Sequence, residues 1–428
     1  MSPTFASLSI YNYRLFAAGA LISNTGTWMG RVAQDWLVLT VLTPNSSVAL
    51  GIVTALQFAP LVLFAPIGGM VADRFPKRRI LFVTQSAMAL TSLLTGVLVV
   101  TGAVQLWQIY LLAFAQGVAT ALDNPTRQTF VSEMVPRDSL SNAVGLNSAS
   151  FNAARLIGPG LAGLVIAAFS TGPAFFINTL SFVAVLLALV RMRPGELSPS
   201  PRLRGKGQIR EGIRYVRGRP DLVLIMALVF VLGSFGMNFQ MTTALMATAV
   251  FHKGPGAYGL LGSIMAIGSL SAALLSARRQ NPRLYILLVA LSAFVVASAA
   301  AALAPSYIWF AVLLIPVGLS ALTVITTATS MVQLSVDPAM RGRVMALYMA
   351  VFMGGTPLAA PLIGWIGSAW GPRWTILVGS IATALAVVGA TLYLVRSENV
   401  RVTFHRQARP RLRVSRGEII EPVPELTT

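Results

Sequence analysis

Residues 68–79 read GGMVADRFPKRR and separate two long stretches of sequence that carry almost no charge. Residues 36–72 and 80–122 contain no Asp, Glu, Lys or Arg. Each stretch exceeds the roughly 20 apolar residues that one helix needs to cross a bilayer. Lipid offers no partners to unpaired backbone groups, so spanning segments of this kind must be helical rather than open strands. The pattern predicts an all-α membrane protein whose residues 73–79 form a short basic loop at the membrane surface.

The composition supports this fold class and argues against a soluble enzyme. Of the 428 residues, 55% are hydrophobic and only 11% are charged, whereas soluble domains carry about 25% charged residues. The chain has no cysteine and two histidines, which excludes thiolate chemistry and argues against a histidine metal cluster. No set of nucleophile, base and acid stands out in the sequence. We therefore expect no enzyme activity, no metal site and no other cofactor.

Turn-forming residues divide the uncharged stretches into twelve predicted membrane helices. Thr43-Pro44-Asn45 interrupts one stretch, and Thr101-Gly102 interrupts another. The predicted helices cover approximately residues 14–42, 48–72, 80–101, 106–133, 140–169, 173–192, 220–249, 256–277, 284–303, 307–332, 342–369 and 372–396.

The order of these helices predicts two related six-helix halves. The expected organisation is an N-terminal half at residues 1–192, a cytoplasmic linker at 193–219, a C-terminal half at 220–396 and a basic cytoplasmic tail at 397–428. Gly-Pro and Thr-Pro pairs recur about 200 residues apart in the two halves, as in duplicated transporters. Residues 208–217 have apolar residues on one helical face and arginines on the other. This pattern favours a short helix against anionic headgroups over a solvated linker.

The net charge of +19 describes membrane topology rather than a nucleic-acid surface. With both termini placed in the cytoplasm, nearly all basic residues fall in cytoplasmic segments, and the external loops hold only Lys253 and Arg373. This asymmetry follows the positive-inside rule. We therefore expect a multi-pass protein of the bacterial cytoplasmic (inner) membrane with both termini inside. We expect anionic lipids near the linker and tail, no nucleic-acid partner, and a monomer.

Two motifs resemble those of the major facilitator superfamily. Residues 69–79 are similar to its loop signature G-x-x-x-D-R-x-x-[RK]-[RK], and residues 158–163 (GPGLAG) are similar to its antiporter motif. Asp123-Asn124-Pro125 and Phe151-Asn152 extend the likeness to the branch of enterobactin-exporter-like and drug:proton antiporters. The resemblance implies a fold of twelve helices in two halves and a transporter that expels its substrate.

The resemblance also assigns roles to specific residues. In this superfamily the loop signature acts as a conformational latch between the halves, and Lys77 contacts the acid at the inner end of the fourth helix, here Asp123. The residues that match the latch are Gly69, Asp73, Arg74, Lys77 and Asp123. The residues that match the antiporter motif are Gly158, Pro159 and Gly163. The alternatives are a surface charge cluster for the first set and ordinary helix packing for the second.

The sequence departs from the superfamily pattern at two positions. Pro76 replaces a usual glycine in the loop signature. Ala113 stands where many proton-coupled exporters carry an arginine, three residues before Gln116-Gly117. If the protein exchanges protons, the cation near the proton site must therefore come from another position.

Three ionisable residues inside predicted helices are the main functional candidates, because burying a lone charge in a membrane costs about 2.5–3.5 kcal/mol. Arg31 and Asp35 lie four residues apart and thus on one helical face. We expect Asp35 to be the proton-coupling carboxylate with Arg31 beside it. The alternative is a static pair of Arg31 and Asp35 that only assists insertion. Arg155 faces either the cavity or a packed carbonyl.

Polar and adaptable side chains predict a substrate cavity between the halves. Its predicted members are Asn24, Trp28, Gln34, Gln116, Asn152, Arg155, Asn238, Met241 and Thr326. The cavity is expected to be mostly apolar and suited to amphipathic or aromatic cargo.

Together these features predict a secondary active transporter that exports small amphipathic molecules, such as drug-like compounds or metabolites. Alternating access and proton antiport would drive the export and contribute to multidrug resistance. An exporter of siderophores or lipid-like metabolites is the alternative within the same class. A non-transporting membrane scaffold or receptor is the alternative from another class.

Overall fold

The structure is a computed structural model in which almost every described residue is helical. It describes residues 3–198, 208–277, 282–337, 340–398, 401–404 and 412–415.

The helices before the linker form one sequential group, which we call the N-terminal group. A short 3-10 helix, Pro3–Ser9, precedes it and another, Pro194–Glu196, follows it. Its members are α1 (Tyr11–Trp36), α2 (Ser47–Leu63), α3 (Ala65–Arg74), α4 (Lys77–Val100), α5 (Leu106–Met134), α6 (Arg137–Ala168) and α7 (Thr171–Arg191).

The helices after the linker form the C-terminal group. Its members are α8 (Gln208–Arg217), α9 (Pro220–Val231), α10 (Phe239–Leu245), α11 (Pro255–Ala277), α12 (Leu284–Ala302), α13 (Tyr307–Ser335), α14 (Arg341–Gly354), α15 (Thr356–Trp370) and α16 (Trp374–Glu398). The described part of the chain also has two four-residue strands, β1 (Arg401–Phe404) and β2 (Leu412–Ser415), which pair antiparallel.

Several predicted helices are interrupted where the structure describes them. The predicted helix 48–72 breaks at Phe64, where a new helix begins with a proline near its start that has no backbone N–H to continue the hydrogen bonding of the first helix. The predicted helix 220–249 breaks at Met237 and Asn238. The predicted helix 342–369 breaks at Gly355. Short π-helical turns, Leu37–Leu42, Leu232–Gly236 and Met246–Val250, extend α1, α9 and α10.

Nine helical segments in the described residues are long and apolar enough to cross a membrane. They include the combined segments Pro220–Val250 and Arg341–Trp370, which run across the interruptions just described. Large apolar side chains such as Leu164 and Val296 remain exposed on their outer surfaces. Exposed aliphatic surface on long helices is the arrangement expected against lipid.

Two glycine contacts, which we call the seams, join the N-terminal and C-terminal groups. In the first, α2 crosses α15: a Cβ at Gly51 would lie 2.6 Å from the Ala360 carbonyl oxygen. Ser47 Oγ donates a 2.7 Å hydrogen bond to the Gly364 carbonyl oxygen in the same contact. Small residues let the two backbones approach, which allows close packing without a hydrophobic driving force.

The second seam joins α6 to α11 and contains the predicted antiporter motif. A Cβ at Gly163 would lie 2.8 Å from the Pro255 carbonyl oxygen, and a Cβ at Gly259 would collide with the Pro159 carbonyl oxygen. Ser263 Oγ donates a 2.6 Å hydrogen bond to the Leu156 carbonyl oxygen. The motif therefore supplies a backbone contact between the two groups of helices.

The predicted linker helix is present as α8, and it packs against α14. Glu211 forms an ion pair with Arg343 (2.7 Å), and Tyr215 donates to Asp337 (3.2 Å). Most of the preceding linker and most of the predicted basic tail lie outside the described residues. The described part of the tail contains the two short strands, whereas the sequence predicted only a basic segment there.

We predict that Gly259→Ala lowers the thermal stability of the protein, whereas Gly256→Ala does not. The added methyl group at Gly259 meets the Pro159 carbonyl oxygen, and overpacking of this kind costs about 1–3 kcal/mol. The position of Gly256 on the same helix is open, its nearest neighbour being 4.0 Å away. Thermal unfolding of the two purified variants checks this. Equal melting temperatures for both would contradict the seam.

Candidate substrate cavity

A cavity of about 660 Å³ lies between the two groups of helices. At one end, which we call the open end, its lining residues Asn124, Gln128 and Ser148 are exposed. At the other end the two seams bring the groups into contact, and we call this the seam end. The volume falls in the range of about 300–1,000 Å³ that is typical of small-molecule sites. The shape is that of a pocket accessible from one end of the bundle.

Most of the residues that the sequence suggested for a cavity lie in its lining. They are Asn24, Trp28, Gln34, Gln116, Asn152, Arg155, Asn238 and Met241. Thr326 does not belong to this set, since the neighbouring Ile325 lines the cavity instead. The Thr326 hydroxyl donates to the Leu322 carbonyl oxygen one turn back in its own helix (2.9 Å).

Asp35 lies at the seam end and is almost fully buried, at 3% exposure. Its Oδ2 accepts a 2.8 Å hydrogen bond from Gln240 Nε2 and a 2.9 Å hydrogen bond from the Tyr258 hydroxyl. Both donors belong to the C-terminal group, and Tyr258 also stacks on Trp36. A buried carboxylate needs such donors, since an unsatisfied charge is costly in an apolar environment. Asp35 therefore links the two groups directly.

Arg31 does not form the static ion pair with Asp35 that the sequence left open. Its guanidinium carbon lies 5.1 Å from the centre of the Trp28 ring and 5.9 Å from that of Phe58. Arg155 lies over the same Trp28 ring at 5.6 Å. Trp28 is thus shared by two arginines, an arrangement favoured by cation–π attraction. Both arginines line the cavity. Arg155 therefore faces the cavity, one of the two orientations that the sequence left open.

Gly158 allows Arg155 to reach the Trp28 ring. A Cβ at this residue would lie 2.6 Å from the Trp28 Cβ and 2.9 Å from the Thr25 carbonyl oxygen. Only a glycine lets α6 approach α1 this closely, which brings Arg155 to the Trp28 ring. The predicted antiporter motif therefore serves two contacts: Gly158 packs within the N-terminal group, and Pro159 and Gly163 pack across the second seam.

The predicted contact between Lys77 and Asp123 is wrong. Lys77 Nζ forms an ion pair with Glu133 Oε1 (2.5 Å), and both side chains are below 10% exposure, at 8% and 9%. Lys77 begins α4 and Glu133 lies in the last turn of the antiparallel α5, so the two meet at the same end of the bundle. Asp123 lies about 15 Å further along α5.

Asp123 instead belongs to a buried network inside the N-terminal group. It accepts hydrogen bonds from Thr84 and Gln85 (both 2.8 Å) and from Arg127 Nε (3.0 Å). Three donors satisfy a carboxylate that is only 2% exposed.

The remaining latch residues lie on the short helix α3. A Cβ at Gly69 would meet nothing within 4 Å, whereas one at Gly68 would lie 2.5 Å from the Ala121 carbonyl oxygen. Gly68 is therefore the residue at which α3 approaches α5. Arg74 is exposed. The side chain of Asp73 lies outside what the structure describes.

Sequence reasoning missed two residues at these sites. Tyr258 gave no signal, since a single tyrosine in an apolar helix is usually a packing residue. Glu133 was detectable in principle, because acids are scarce in this chain and it lies next to the end of a predicted helix. Gln240 was recognised only as one of several polar residues in its helix.

Apolar helices surround a large cavity that is accessible from one end, an arrangement typical of membrane transporters. A family model described as "Transmembrane secretion effector" matches residues 2–418. The chain belongs to this family of multi-pass membrane transporters in the major facilitator superfamily.

Several characterised proteins are similar to the chain. The multidrug efflux pump Tap of Mycolicibacterium fortuitum is 26% identical over 388 residues, which cover 88% of this chain and 93% of the pump. The staphyloferrin A transporter of Staphylococcus aureus is 30% identical over 178 residues, 41% of this chain and 44% of that protein. The match to this transporter therefore covers less than half of its length.

The fold is similar to that of solved transporters. A bacterial homologue of the human lysosomal transporter Spinster, in an inward-facing and unoccupied conformation, superimposes with a TM-score of 0.72. It shares 14% identity, and the match covers 92% of this chain and 97% of the homologue.

We predict that a double-mutant cycle of Lys77→Met and Glu133→Gln gives a coupling free energy of about 0.5–3 kcal/mol in unfolding experiments. The two side chains form a buried ion pair, so Lys77→Met removes the cation that faces Glu133 and Glu133→Gln removes the negative charge that faces Lys77. A second cycle of Lys77→Met with Asp123→Asn is the control and should be additive, since Asp123 lies about 15 Å along α5 from Glu133, the residue that Lys77 contacts. Coupling between Lys77 and Asp123, without coupling between Lys77 and Glu133, would support the contact that the sequence predicted.

Proposed function

We propose that the protein exports small amphipathic molecules by alternating access, driven by proton antiport. One observation carries the proposal: a buried carboxylate, Asp35, joins the two groups of helices at the closed end of a large cavity. A titratable group at such a position can couple its protonation to the contact between the groups. Several relatives, including Tap, bear names that describe efflux, and this favours export over import.

The proposed membrane arrangement has twelve spans in two six-helix halves, at residues 1–192 and 220–396. Nine segments meet the criteria of length and apolarity, and we assign the remaining three spans to α1, α5 and the broken pair α2–α3. The linker at 193–219, the tail at 397–428 and both termini lie on the cytoplasmic side of a bacterial inner membrane, where basic loops are expected. The open end of the cavity then faces the cytoplasm.

In the proposed cycle, a proton that binds Asp35 from outside favours closing of the seam end, because a neutral carboxyl group is buried at lower cost than a charged one. In the closed seam the carboxyl group accepts hydrogen bonds from Gln240 and Tyr258. Substrate bound from the open end favours opening of the seam end. A proton that binds from outside is carried back and released to the cytoplasm, so that the two movements exchange.

We also propose that α3 and the loop after it form the conformational latch. Asp73, Gly69 and Arg74 lie in this segment, at the open end of the cavity. A carboxylate near a helix N-terminus contributes roughly 0.3–1 kcal/mol, and α14 of the C-terminal group begins at Arg341 at the same end. The latch would close this end when the seam end opens. Lys77 and Asp123 would support it indirectly, through their separate contacts within the N-terminal group.

A siderophore or lipid-like metabolite remains the second candidate cargo. Two cavity arginines that form no ion pair among the described residues favour an acidic cargo over a neutral one. A membrane scaffold or receptor would show no transport by the purified protein. Transport assays with reconstituted protein therefore separate these classes.

We predict that Asp35→Asn abolishes export driven by a pH gradient while leaving the protein folded. The amide keeps the shape of the side chain but removes the titrating charge. The measurement is pH-driven efflux of a panel of fluorescent amphipathic dyes by protein reconstituted in proteoliposomes. Tyr258→Phe, which removes one donor, should reduce the dependence on the gradient only in part.

Glu196→Gln is the matched control, because this exposed acid pairs with Arg193 at the surface far from the cavity. It should transport like the wild-type protein. Normal pH-driven efflux by Asp35→Asn would exclude Asp35 as the coupling group.

A further inference from the structure

We propose that the cavity selects anionic aromatic molecules, with Arg31 and Arg155 binding the acidic group and Trp28 positioning both arginines. This inference rests on the proposed transport function and specifies its substrate class. It differs from the expectation of a mostly apolar cavity, which carries no preference for the charge of the cargo.

The charged residues that line the cavity are mainly basic. Its basic lining residues are Arg31, Arg127 and Arg155, and the only acid among its described lining residues is Asp123. Asp123 is already occupied by Arg127 and by two neutral donors. In the part of the chain that the structure describes, Arg155 is therefore left without a neighbouring acid, and Arg31 has only Asp35 one turn away, whose Oδ2 already accepts hydrogen bonds from Gln240 and Tyr258.

Arg31 and Arg155 both contact aromatic rings. Within the described residues, neither guanidinium forms an ion pair, and both are held by aromatic faces. Asp35, one turn from Arg31, directs its Oδ2 to Gln240 and Tyr258. The N–H groups of a guanidinium form a planar set of donors that matches a carboxylate or similar oxyanion. The two arginines thus offer donors to a ligand.

Arg31 and Arg155 repel one another because both are cations. Arg31 and Arg155 share one tryptophan ring and act on one another as like charges. Holding two like charges together in a partly buried site is unfavourable unless a counter-charge is present. An anion bound between them would relieve this repulsion, whereas a cationic ligand would increase it. The cavity therefore discriminates between ligands of opposite charge.

Aromatic rings next to the two arginines determine which kind of molecule can carry the acidic group. Trp28 packs edge-on against Phe151 at 6.0 Å, and the centre of the Phe58 ring lies 5.9 Å from the guanidinium carbon of Arg31. All three rings line the cavity. Aromatic side chains next to the charged group favour a ligand whose acidic group is attached to a flat ring system.

Two dyes with the same ring system and opposite charge test this substrate class. Fluorescein is anionic at neutral pH, and tetramethylrhodamine methyl ester is cationic. Binding is measured by fluorescence anisotropy with protein in nanodiscs of uncharged lipid, after subtraction of empty nanodiscs. We expect saturable binding of fluorescein that is at least about tenfold tighter than binding of the cationic dye.

Substitutions distinguish the specific effect of losing a cavity arginine from a general effect on the fold. Arg31→Gln and Arg155→Gln should each weaken fluorescein binding about tenfold, as expected for loss of one charge-assisted contact. Arg31→Lys keeps the charge but loses the planar set of donors, so it should bind fluorescein better than Arg31→Gln and less well than the wild-type protein. Arg217→Gln removes an exposed arginine of α8 outside the cavity and should bind like the wild-type protein.

The outcomes distinguish this inference from the proposed function. Equal affinity for both dyes, absence of saturable fluorescein binding by folded protein, or fluorescein binding that both glutamine variants leave unchanged would overturn the inference. Selective binding of fluorescein without any efflux from proteoliposomes would support it and contradict the exporter. Efflux of the cationic dye alone would support the exporter and contradict the inference.

Discussion

Close backbone contact at two glycine seams is the constraint on which the rest of the structure depends. The helices meet where Gly51 faces Ala360 and where Gly259 faces Pro159, at distances that leave no room for side chains. These contacts close one end of the space between the two groups of helices. The other end stays open and forms the cavity. The buried Asp35 carboxylate lies at the closed end, where its two hydrogen-bond donors come from the opposite group.

The same local geometry arranges the charges of the cavity. Gly158 allows α6 to approach α1, so that Arg155 and Arg31 share the Trp28 ring. One short motif therefore contributes both to the seam and to the arginine pair. A change at the seam would move α6 and, with it, Arg155. This connection offers a physical route by which a ligand bound between the arginines could affect the contact between the two groups.

Much of the fold could be predicted from the sequence, because charge-free stretches and turn residues mark helices directly. The interruptions at Phe64 and Gly355 are each followed by a proline, but prolines are also tolerated inside membrane helices, so the sequence alone does not distinguish a break from a continuous helix. Arg31 and Asp35 were recognisable because ionisable residues are rare in membrane helices. Their partners were not: Tyr258 lies 223 residues from Asp35 along the chain. Lys77 was assigned to Asp123 by resemblance, and only the antiparallel arrangement of α4 and α5 brings it to Glu133.

The most direct test of this account measures both ends of the molecule at once. The chain has no native cysteine, so spin labels can be introduced in pairs and their separations measured by pulsed EPR. Val41 and Trp370 are exposed residues near the seam end, and Asp138 and Leu334 are exposed residues near the open end. Raising the pH should increase the population in which the first pair is further apart and the second pair closer together, and acidification should reverse this change. Separations that stay constant, or that change at one end only, would contradict a seam that opens in exchange with the cavity.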